Sequence, residues 1–364
     1  MRPMTNRSHA IVLGLGIAAI TVVAVEAFLR MQPLRSATAA PLSISVRTPE
    51  LGPPHFTETF DVSTFQRGNI HTHSEWSDGD RSPKFVYDWY RTHGYQFLAL
   101  TDHDNRVSPE TFKILQKPGF VIIAGEEVTM NVGDKPVHVN GLCTTKTIGG
   151  GRFPTKRAAL VHAVESIHAQ GGSALVNHPN FGWALTVDDV REVNGAEMLE
   201  IWSGHPYVHT EGDAERPSHE AIWDKLVDSG QTIAGVAVDD SHHFGMTKKP
   251  EAAARPGKGW VEVFSAQTER DAICEGLMKG RLYSSSGATL SRIRLTTDKL
   301  SVWVKEEGAS VEFIGNGGTV LAKRERGTES EVTYELRGDE RYVRARITLP
   351  NGKMAWTQPY RVVR

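Results

Sequence analysis

The segment Phe97-Leu98-Ala99-Leu100-Thr101-Asp102-His103-Asp104 joins a continuous apolar run to a polar group with two carboxylates and one imidazole. Apolar runs of this length without alternation are typical of strands that are buried on both faces, as in parallel sheets covered by helices. A second run, Val121-Ile122-Ile123-Ala124, is followed in the same way by Gly125-Glu126-Glu127. The pattern predicts parallel strands whose ends carry the chemically active side chains.

Helix-like segments alternate with such strands through the middle of the chain. Apolar stripes at helical spacing predict helices over Lys156–Ala169 and Ser218–Asp228, and Ser82-Pro83 is typical of a helix start. This alternation predicts an α/β fold, in the form of a β/α barrel. From about Leu290, short alternating strands separated by turns such as Asn351-Gly352 predict a small antiparallel β-sandwich.

The chain of 364 residues is long enough for one large domain and a small second one. We divide it into an export signal at residues 1–40, a linker at 41–66 that is rich in Pro, Thr and Ser, an α/β domain at 67–289, and the β-sandwich at 290–364.

The N-terminal region predicts export from the cytoplasm. Arg2 and Arg7 precede an apolar run from Ala10 to Leu29 that only Glu26 interrupts, and small residues follow at 36–40. A cleaved signal peptide and an uncleaved anchor both fit, since the run approaches the ~20 residues that a membrane-spanning helix needs. Either way we expect the rest of the chain in the periplasm or outside the cell, and an anchor would also attach it to the membrane.

The charge balance narrows the classes of partner that the protein could bind. The 41 Lys and Arg residues nearly balance the 43 Asp and Glu residues, and no basic block stands out, so we expect a small-molecule substrate and no nucleic-acid partner.

The two cysteines, Cys143 and Cys274, have no CxxC spacing. An oxidising compartment would permit a bridge, but we expect two buried free thiols.

Four short segments carry imidazoles and carboxylates at intervals suited to one polynuclear metal site: His71-Thr72-His73, Thr101-Asp102-His103-Asp104, Asn177-His178-Pro179 and Asp240-Ser241-His242. Side chains at i and i+2 of an extended strand project from the same face, so two ligands can converge on one ion. Imidazoles and carboxylates without thiolates suit Zn, Mn or Fe. Two or three such divalent ions can lower the pKa of a metal-bridging water towards 7, which predicts a hydrolase.

These segments, together with Ser77-Asp78-Gly79, Gly125-Glu126-Glu127-Val128-Thr129 and Val137-His138-Val139, resemble the PHP superfamily, which is named for polymerase-associated and histidinol-phosphatase domains. The resemblance spans roughly residues 67–287 and includes every ligand-bearing motif in family order. It implies a distorted (β/α)7 TIM-like barrel and, as for most of the superfamily, phosphoesterase activity.

The resemblance also implies a set of metal ligands. In trinuclear members, the positions matching His71, His73, Glu127 and Asp240 form one site, with the glutamate bridging to a second site that takes His138 and His178. The third site takes Asp78, His103 and His242. Glu126 is an alternative to Glu127, which we prefer because the family's ligand precedes a pair matched by Val128-Thr129. Asp239 is an alternative to Asp240, which the D-x-H spacing favours.

Other polar residues near the motifs receive supporting roles. Asp102 and Asp104 flank His103, and we interpret them, with Glu200 on another predicted strand, as groups that orient the imidazoles. His205 is a candidate proton donor to a leaving group, or a hydrogen-bonding residue of its loop. The sequence therefore predicts a phosphoesterase; cleavage of a carboxylic or carbamate ester at the same site, and a non-catalytic metal-containing binding module, are the alternatives.

Overall fold

The computed structural model describes residues 52–193, 195–245, 252–327 and 330–364. The predicted signal peptide or anchor at residues 1–40 and the start of the predicted linker lie outside these ranges. Within them, no helix is both long enough and apolar enough to cross a membrane.

Strands and helices alternate through the region that carries the predicted ligands. The strands are β1 (His55–Phe56), β2 (Phe60–Val62), β3 (Phe65–Asn69), β4 (Phe97–Ala99), β5 (Val121–Ile123), β6 (Gly125–Val132), β7 (Lys135–Leu142), β8 (Gly151–Arg152), β9 (Ser173–Val176), β10 (Met198–Ser203), β11 (Ala234–Val238), β12 (Trp260–Phe264) and β13 (Leu282–Ser285). The helices are α1 (Pro83–Thr92), α2 (Lys156–His168), α3 (Val187–Arg191), α4 (His219–Asp228) and α5 (Arg270–Met278), with short 3-10 turns at Lys113–Leu115 and Phe181–Trp183. The predicted helix start at Ser82-Pro83 is confirmed, since Ser82 caps α1 and accepts a hydrogen bond from the Phe85 N–H.

Two groups of parallel strands bring their carboxyl ends to one region. β4 pairs in parallel with β3 and β5, and β10 pairs in parallel with β9 and β11. The two groups meet where Thr72 bridges Ser241 in parallel, and a second parallel bridge joins His103, after β4, to Glu127 of β6. Hydrogen bonds from His73 N to Ser241 O (2.9 Å) and from Asp240 N to His71 O (3.0 Å) reinforce the first junction. The segments after β3 and β11, which carry four predicted ligands, are therefore held side by side.

The direction of β7 differs from the predicted parallel arrangement. β7 is buried along most of its length, but it runs antiparallel to β6 and to β9. The turn Gly133-Asp134 between Val132 and Lys135 is the reason, because a two-residue connection can join only antiparallel strands, and Gly133 supplies a φ of 63°. The α/β class is thus confirmed, whereas a TIM-like barrel remains a prediction.

The remaining strands are β14 (Leu290–Leu295), β15 (Lys299–Val304), β16 (Ser310–Gly315), β17 (Thr319–Glu325), β18 (Glu331–Glu335), β19 (Tyr342–Thr348), β20 (Met354–Trp356) and β21 (Tyr360–Val363). One sheet has the order β18-β15-β14-β2, and β16, β17, β19, β20 and β21 belong to a larger sheet that continues through β13 and β12 into β3. Apolar side chains from both sheets share one core, as in a β-sandwich.

Residues 55–62 differ from the predicted linker. β1 pairs with β21, and β2 pairs with β14, so this segment contributes strands to the C-terminal sheets. The sequence of this segment has no continuous apolar run to mark it as a strand, and in the structure only Phe56 among its residues is fully buried.

A disulfide joins Cys143, just after β7, to Cys274 in α5, with their Cα atoms 6.1 Å apart. The expectation of two free thiols is therefore wrong. The cysteines are 131 residues apart in sequence, and only the packing of α5 beside β5 and β9 brings them together. The bridge links the end of β7, which carries His138, to α5, which lies far from β7 in sequence.

Removal of this bridge should destabilise the protein. We expect the Cys143→Ser/Cys274→Ser double variant to lose about 2–5 kcal/mol of unfolding free energy, because the cross-link restricts a long loop in the unfolded chain. Denaturant unfolding measures the loss, and the wild type under reducing conditions should match the variant. Equal unfolding midpoints for oxidised wild type and variant would contradict the prediction.

Candidate metal centre

All nine predicted ligands lie together, at the junction of the two strand groups. Six of them follow strand ends: His71 and His73 follow β3, His103 follows β4, His178 follows β9, and Asp240 and His242 follow β11. Glu127 lies within β6, His138 lies within β7, and Asp78 lies in the loop before α1. Their donor atoms form four overlapping groups among the described residues: His73, Asp78, His103 and His242; His71, His73 and Asp240; His71, Glu127 and His178; and His103, Glu127 and His138.

Glu127 lies at the centre of these groups, and its side chain is 1% exposed. Its Oε2 atom faces one set of ring nitrogens: His71 Nε2 at 3.2 Å, His73 Nε2 at 3.1 Å and His103 Nδ1 at 3.3 Å. Its Oε1 atom faces another set: His138 Nδ1 at 2.9 Å and His178 Nε2 at 3.3 Å. Each oxygen thus serves a different group of imidazoles, which is the arrangement that a bridging carboxylate requires.

Two aspartates complete the groups on either side of His73. Asp240 Oδ1 lies 3.3 Å from His71 Nε2 and 3.3 Å from His73 Nε2. Asp78 Oδ2 lies 3.4 Å from His242 Nε2 and 3.6 Å from His103 Nε2. The Asp78 side chain is 53% exposed, so the cluster opens to solvent on this side.

Unpartnered nitrogen atoms test whether the cluster fits a metal. His73 Nε2 and His138 Nδ1 are buried and have no hydrogen-bond partner, although both lie close to oxygens of Glu127. Buried polar atoms are rarely left unpaired in proteins, and a ring nitrogen aimed at carboxylates is what a metal ligand presents. The donor set of imidazoles and carboxylates therefore fits divalent transition metals such as Zn, Mn or Fe.

The electrostatics keep the carboxylates anionic, as ligation requires. Burial by itself would raise the pKa of Glu127, but His71, His138 and His103 hold this pKa well below its usual range. Burial likewise acts to raise the pKa of Asp240, and His71 and His73 reverse the effect. In turn, Asp240, Glu127 and Glu200 raise the pKa of His71 well above its usual value against the effect of burial.

Glu200 contacts an imidazole directly, whereas Asp102 and Asp104 do not. Glu200 Oε1 lies 2.5 Å from His71 Nδ1, which leaves His71 Nε2 facing the cluster, and Glu200 Oε2 accepts the His178 N–H. Asp102 accepts hydrogen bonds from Ser74 and from Ser77 Oγ, which itself lies 3.3 Å from His73 Nδ1.

Asp104 Oδ1 accepts the Thr129 N–H at 2.8 Å, and Thr129 Oγ1 contacts His103 Nδ1 at 2.7 Å. Asp102 therefore supports His73 through the Ser77 hydroxyl, and Asp104 holds the backbone N–H of Thr129, whose hydroxyl contacts His103; the sequence pattern did not reveal this arrangement.

The two alternative ligands lie outside all four groups. Glu126 accepts the backbone N–H groups of Ile148 (2.9 Å) and Gly149 (2.7 Å), and so holds the loop before β8. Asp239 accepts the Tyr90 hydroxyl at 2.7 Å and three backbone N–H groups of residues 257–259. The side chains of Glu127 and Asp240 are the ones that face the imidazoles.

His205 lies beside the cluster. Its ring centroid is 5.3 Å from that of His242, and its Nδ1 accepts the Tyr207 N–H, which places the proton of the neutral ring on Nε2. Burial lowers the pKa of His205 to about 4. A cavity of about 600 Å³ adjoins this residue. Its lining includes Trp202, His205, His209, Glu211, Arg255 and Lys258.

Sequence reasoning missed one residue that contacts the central carboxylate. Asn177 Nδ2 donates to Glu127 Oε1 at 2.8 Å. Asn177 stands directly before His178 in the Asn177-His178-Pro179 motif, which was the one sign of its position near the site. An amide is a poor metal ligand, so the sequence alone gave no reason to predict a role for it.

Comparisons with known proteins found distant structural similarity. No family model matches the chain, and no curated protein matches it. A two-domain protein from Bacteroides vulgatus, described as containing a predicted PHP-like metal-dependent phosphoesterase, is 15% identical with a TM-score of 0.44, covering 85% of this chain and 98% of its own. An amidohydrolase from Chromobacterium violaceum, solved with bound sulfate and no metal, is 17% identical with a TM-score of 0.34, covering 49% of this chain and 88% of its own.

Metal binding should stabilise the folded protein through Glu127. At a zinc concentration ~100 times the dissociation constant, we expect the unfolding free energy to rise by about 2.7 kcal/mol relative to chelator-treated protein. Glu127→Gln should lose most of this increment, because the amide is uncharged and replaces one of the two Glu127 oxygens by an NH2 group that cannot bind a metal. Thermal unfolding with zinc and with chelator measures the difference.

Glu126→Gln is the matched control, since Glu126 is the sequence neighbour of Glu127 and lies outside the four groups. It should retain the zinc-dependent stabilisation. Equal zinc responses in Glu127→Gln and wild type would contradict the placement of Glu127 at the centre of the site.

Proposed function

We propose that this protein is a metal-dependent phosphoesterase that hydrolyses a small phosphorylated substrate. The observation that carries the proposal is the position of Glu127, whose two oxygens each face a separate set of imidazoles. When bound, two or three divalent ions would supply Lewis acidity and a water of lowered pKa at neutral pH.

The residues that would hold the ions divide into three sets around shared ligands. As the resemblance implies, they are His71, His73, Asp240 and Glu127; Glu127, His138 and His178; and Asp78, His103 and His242, and the contacts of Glu127 Oε2 with His71 and His73 and of Oε1 with His138 and His178 support the first two sets. Glu200 Oε1 accepts a hydrogen bond from His71 Nδ1, and this contact orients the ring so that His71 Nε2 faces the site. The half-exposed Asp78 side marks the direction from which a substrate would approach.

The cavity beside His205 is where we place the leaving group. Its volume of about 600 Å³ lies within the range of ordinary small-molecule sites. Arg255 and Lys258 in its lining outnumber the one acidic residue there, Glu211, and so favour an anionic group on the substrate. We propose that the Nε2–H of the neutral His205 ring donates a hydrogen bond to the leaving oxygen; full proton transfer requires the doubly protonated ring, which the negative charge of a bound phosphate favours.

A carboxylic or carbamate ester hydrolase is the second candidate. The aromatic side chains of Trp76 and Tyr207 are 44% and 55% exposed, and each lies two residues from a site residue, Asp78 or His205. Such exposed rings favour an apolar or aromatic group on the substrate. A non-catalytic binding module is the weaker alternative, because all nine positions carry side chains competent to bind a metal.

We also propose that the protein works outside the cytoplasm on a small molecule. The disulfide between Cys143 and Cys274 supports this location, because such bridges persist mainly in oxidising compartments. The apolar run at residues 10–29 is the proposed export signal or membrane anchor.

Hydrolysis assays distinguish these functions. The purified full chain, loaded in turn with Zn, Mn and Fe, is given aryl phosphate monoesters, aryl phosphate diesters and an aryl carbamate. We expect chelator-sensitive phosphoester hydrolysis that falls at least ~100-fold in Glu127→Gln and persists in Glu126→Gln. Cleavage of the carbamate alone would favour the second candidate, and metal binding without any turnover would contradict both.

The same assays test His205. A proton donor matters most when the leaving group is a poor one, so His205→Gln should slow esters of weakly acidic phenols or alcohols more than esters of p-nitrophenol. An equal loss for both kinds of ester would indicate a role in the loop instead.

A further inference from the structure

We propose that Asn177, held by Asn140, is a positioning residue that fixes Glu127 in its bridging orientation. The inference rests on the metal-dependent hydrolase proposed above. Asn177 donates to Glu127 Oε1 at 2.8 Å, and Oε1 is the oxygen that faces His138 and His178. Both asparagines are at most 1% exposed, so water does not compete for their hydrogen bonds.

The hydrogen bonds between the two amides determine their orientation. Asn177 Nδ2 donates to Asn140 Oδ1 at 2.9 Å as well as to Glu127, and Asn177 Oδ1 accepts the Asn140 N–H at 3.2 Å. Asn140 Nδ2 in turn donates to Ile70 O at 3.0 Å, one residue before His71. A flipped Asn177 amide would set its oxygen against Glu127 Oε1 and Asn140 Oδ1, so the N–H groups must face the carboxylate.

A neutral donor suits this position better than a charged one. A Lys or Arg at this place would also orient the carboxylate, but its positive charge would compete with a metal ion for the same oxygen. Asn177 Nδ2 donates to Oε1, while His138 Nδ1 and His178 Nε2 lie 2.9 Å and 3.3 Å from the same oxygen. The Asn177 amide therefore fixes the direction of the bridge without reducing the negative charge that attracts the ions.

This role has a selective consequence. Loss of the Asn177 amide should weaken first the ion that shares Oε1 with His138 and His178. The group of Asp78, His103 and His242 has no contact with Asn177 among the hydrogen bonds of the described residues, so its affinity should remain. The ion that shares Glu127 Oε1 should therefore be lost first, while the ion held by Asp78, His103 and His242 is kept.

The test is zinc binding by the full chain, measured by competition with a chromophoric chelator. We expect Asn177→Leu to bind one zinc ion ~10–100-fold more weakly than the wild type, as is typical when a group that supports a metal ligand is removed. The remaining zinc should bind with unchanged affinity, and circular dichroism should show an unchanged fold.

Asn180→Leu is the matched control. Asn180 lies three residues further on and is 3% exposed, and its Nδ2 donates to His209 O and Pro217 O, away from Glu127. This variant should bind zinc as the wild type does. If Asn177→Leu does not fold, Asn177→Ser replaces it, because the smaller polar side chain removes the contact without adding apolar bulk.

Three outcomes would overturn the inference. Wild-type zinc affinity in a folded Asn177 variant would remove the positioning role alone, and the proposed function would stand. An equal loss in Asn180→Leu would attribute the effect to general disturbance of the loop. Failure of the wild type to bind Zn, Mn or Fe would overturn the proposed function together with this inference.

Discussion

The burial of one carboxylate, Glu127, among five imidazoles is the constraint on which the site depends. A buried carboxylate is costly unless positive charge or hydrogen-bond donors surround it. Here His71, His73 and His103 face one oxygen, and His138 and His178 face the other. The cluster is therefore an arrangement in which either protonated imidazoles or metal ions must balance the charge, and the unpartnered nitrogens of His73 and His138 favour metal ions.

The fold delivers these side chains by joining two groups of parallel strands at their carboxyl ends. The bridges Thr72 to Ser241 and His103 to Glu127 hold four ligand-bearing segments in contact. β6 and β7 depart from the parallel pattern, and their hairpin places Glu127 and His138 in the middle of strands rather than at strand ends. Away from the site, the Cys143–Cys274 bridge and the sheet that runs from β3 into the C-terminal strands connect the site region to the rest of the chain.

Much of the site was predictable because its ligands lie in short motifs whose spacing reflects local geometry, such as His71-Thr72-His73. Two features that escaped prediction depend on contacts between distant segments: the disulfide depends on the packing of α5, and the strands at residues 55–62 on partners more than 200 residues away. The direction of β7, by contrast, is set locally by the two-residue Gly133-Asp134 turn. Asn177 was missed for a chemical reason, because its amide acts on a ligand and not on a metal.

The measurement that tests this account most directly is anomalous X-ray scattering from crystals of the full chain grown with zinc or manganese. The account predicts two or three metal peaks within the cluster, with two of them on opposite oxygens of Glu127 and about 3.5–4 Å apart, as in known two-metal hydrolytic sites. The absence of metal peaks, or a single ion that does not contact Glu127, would contradict the central claim that this carboxylate bridges a polynuclear metal site.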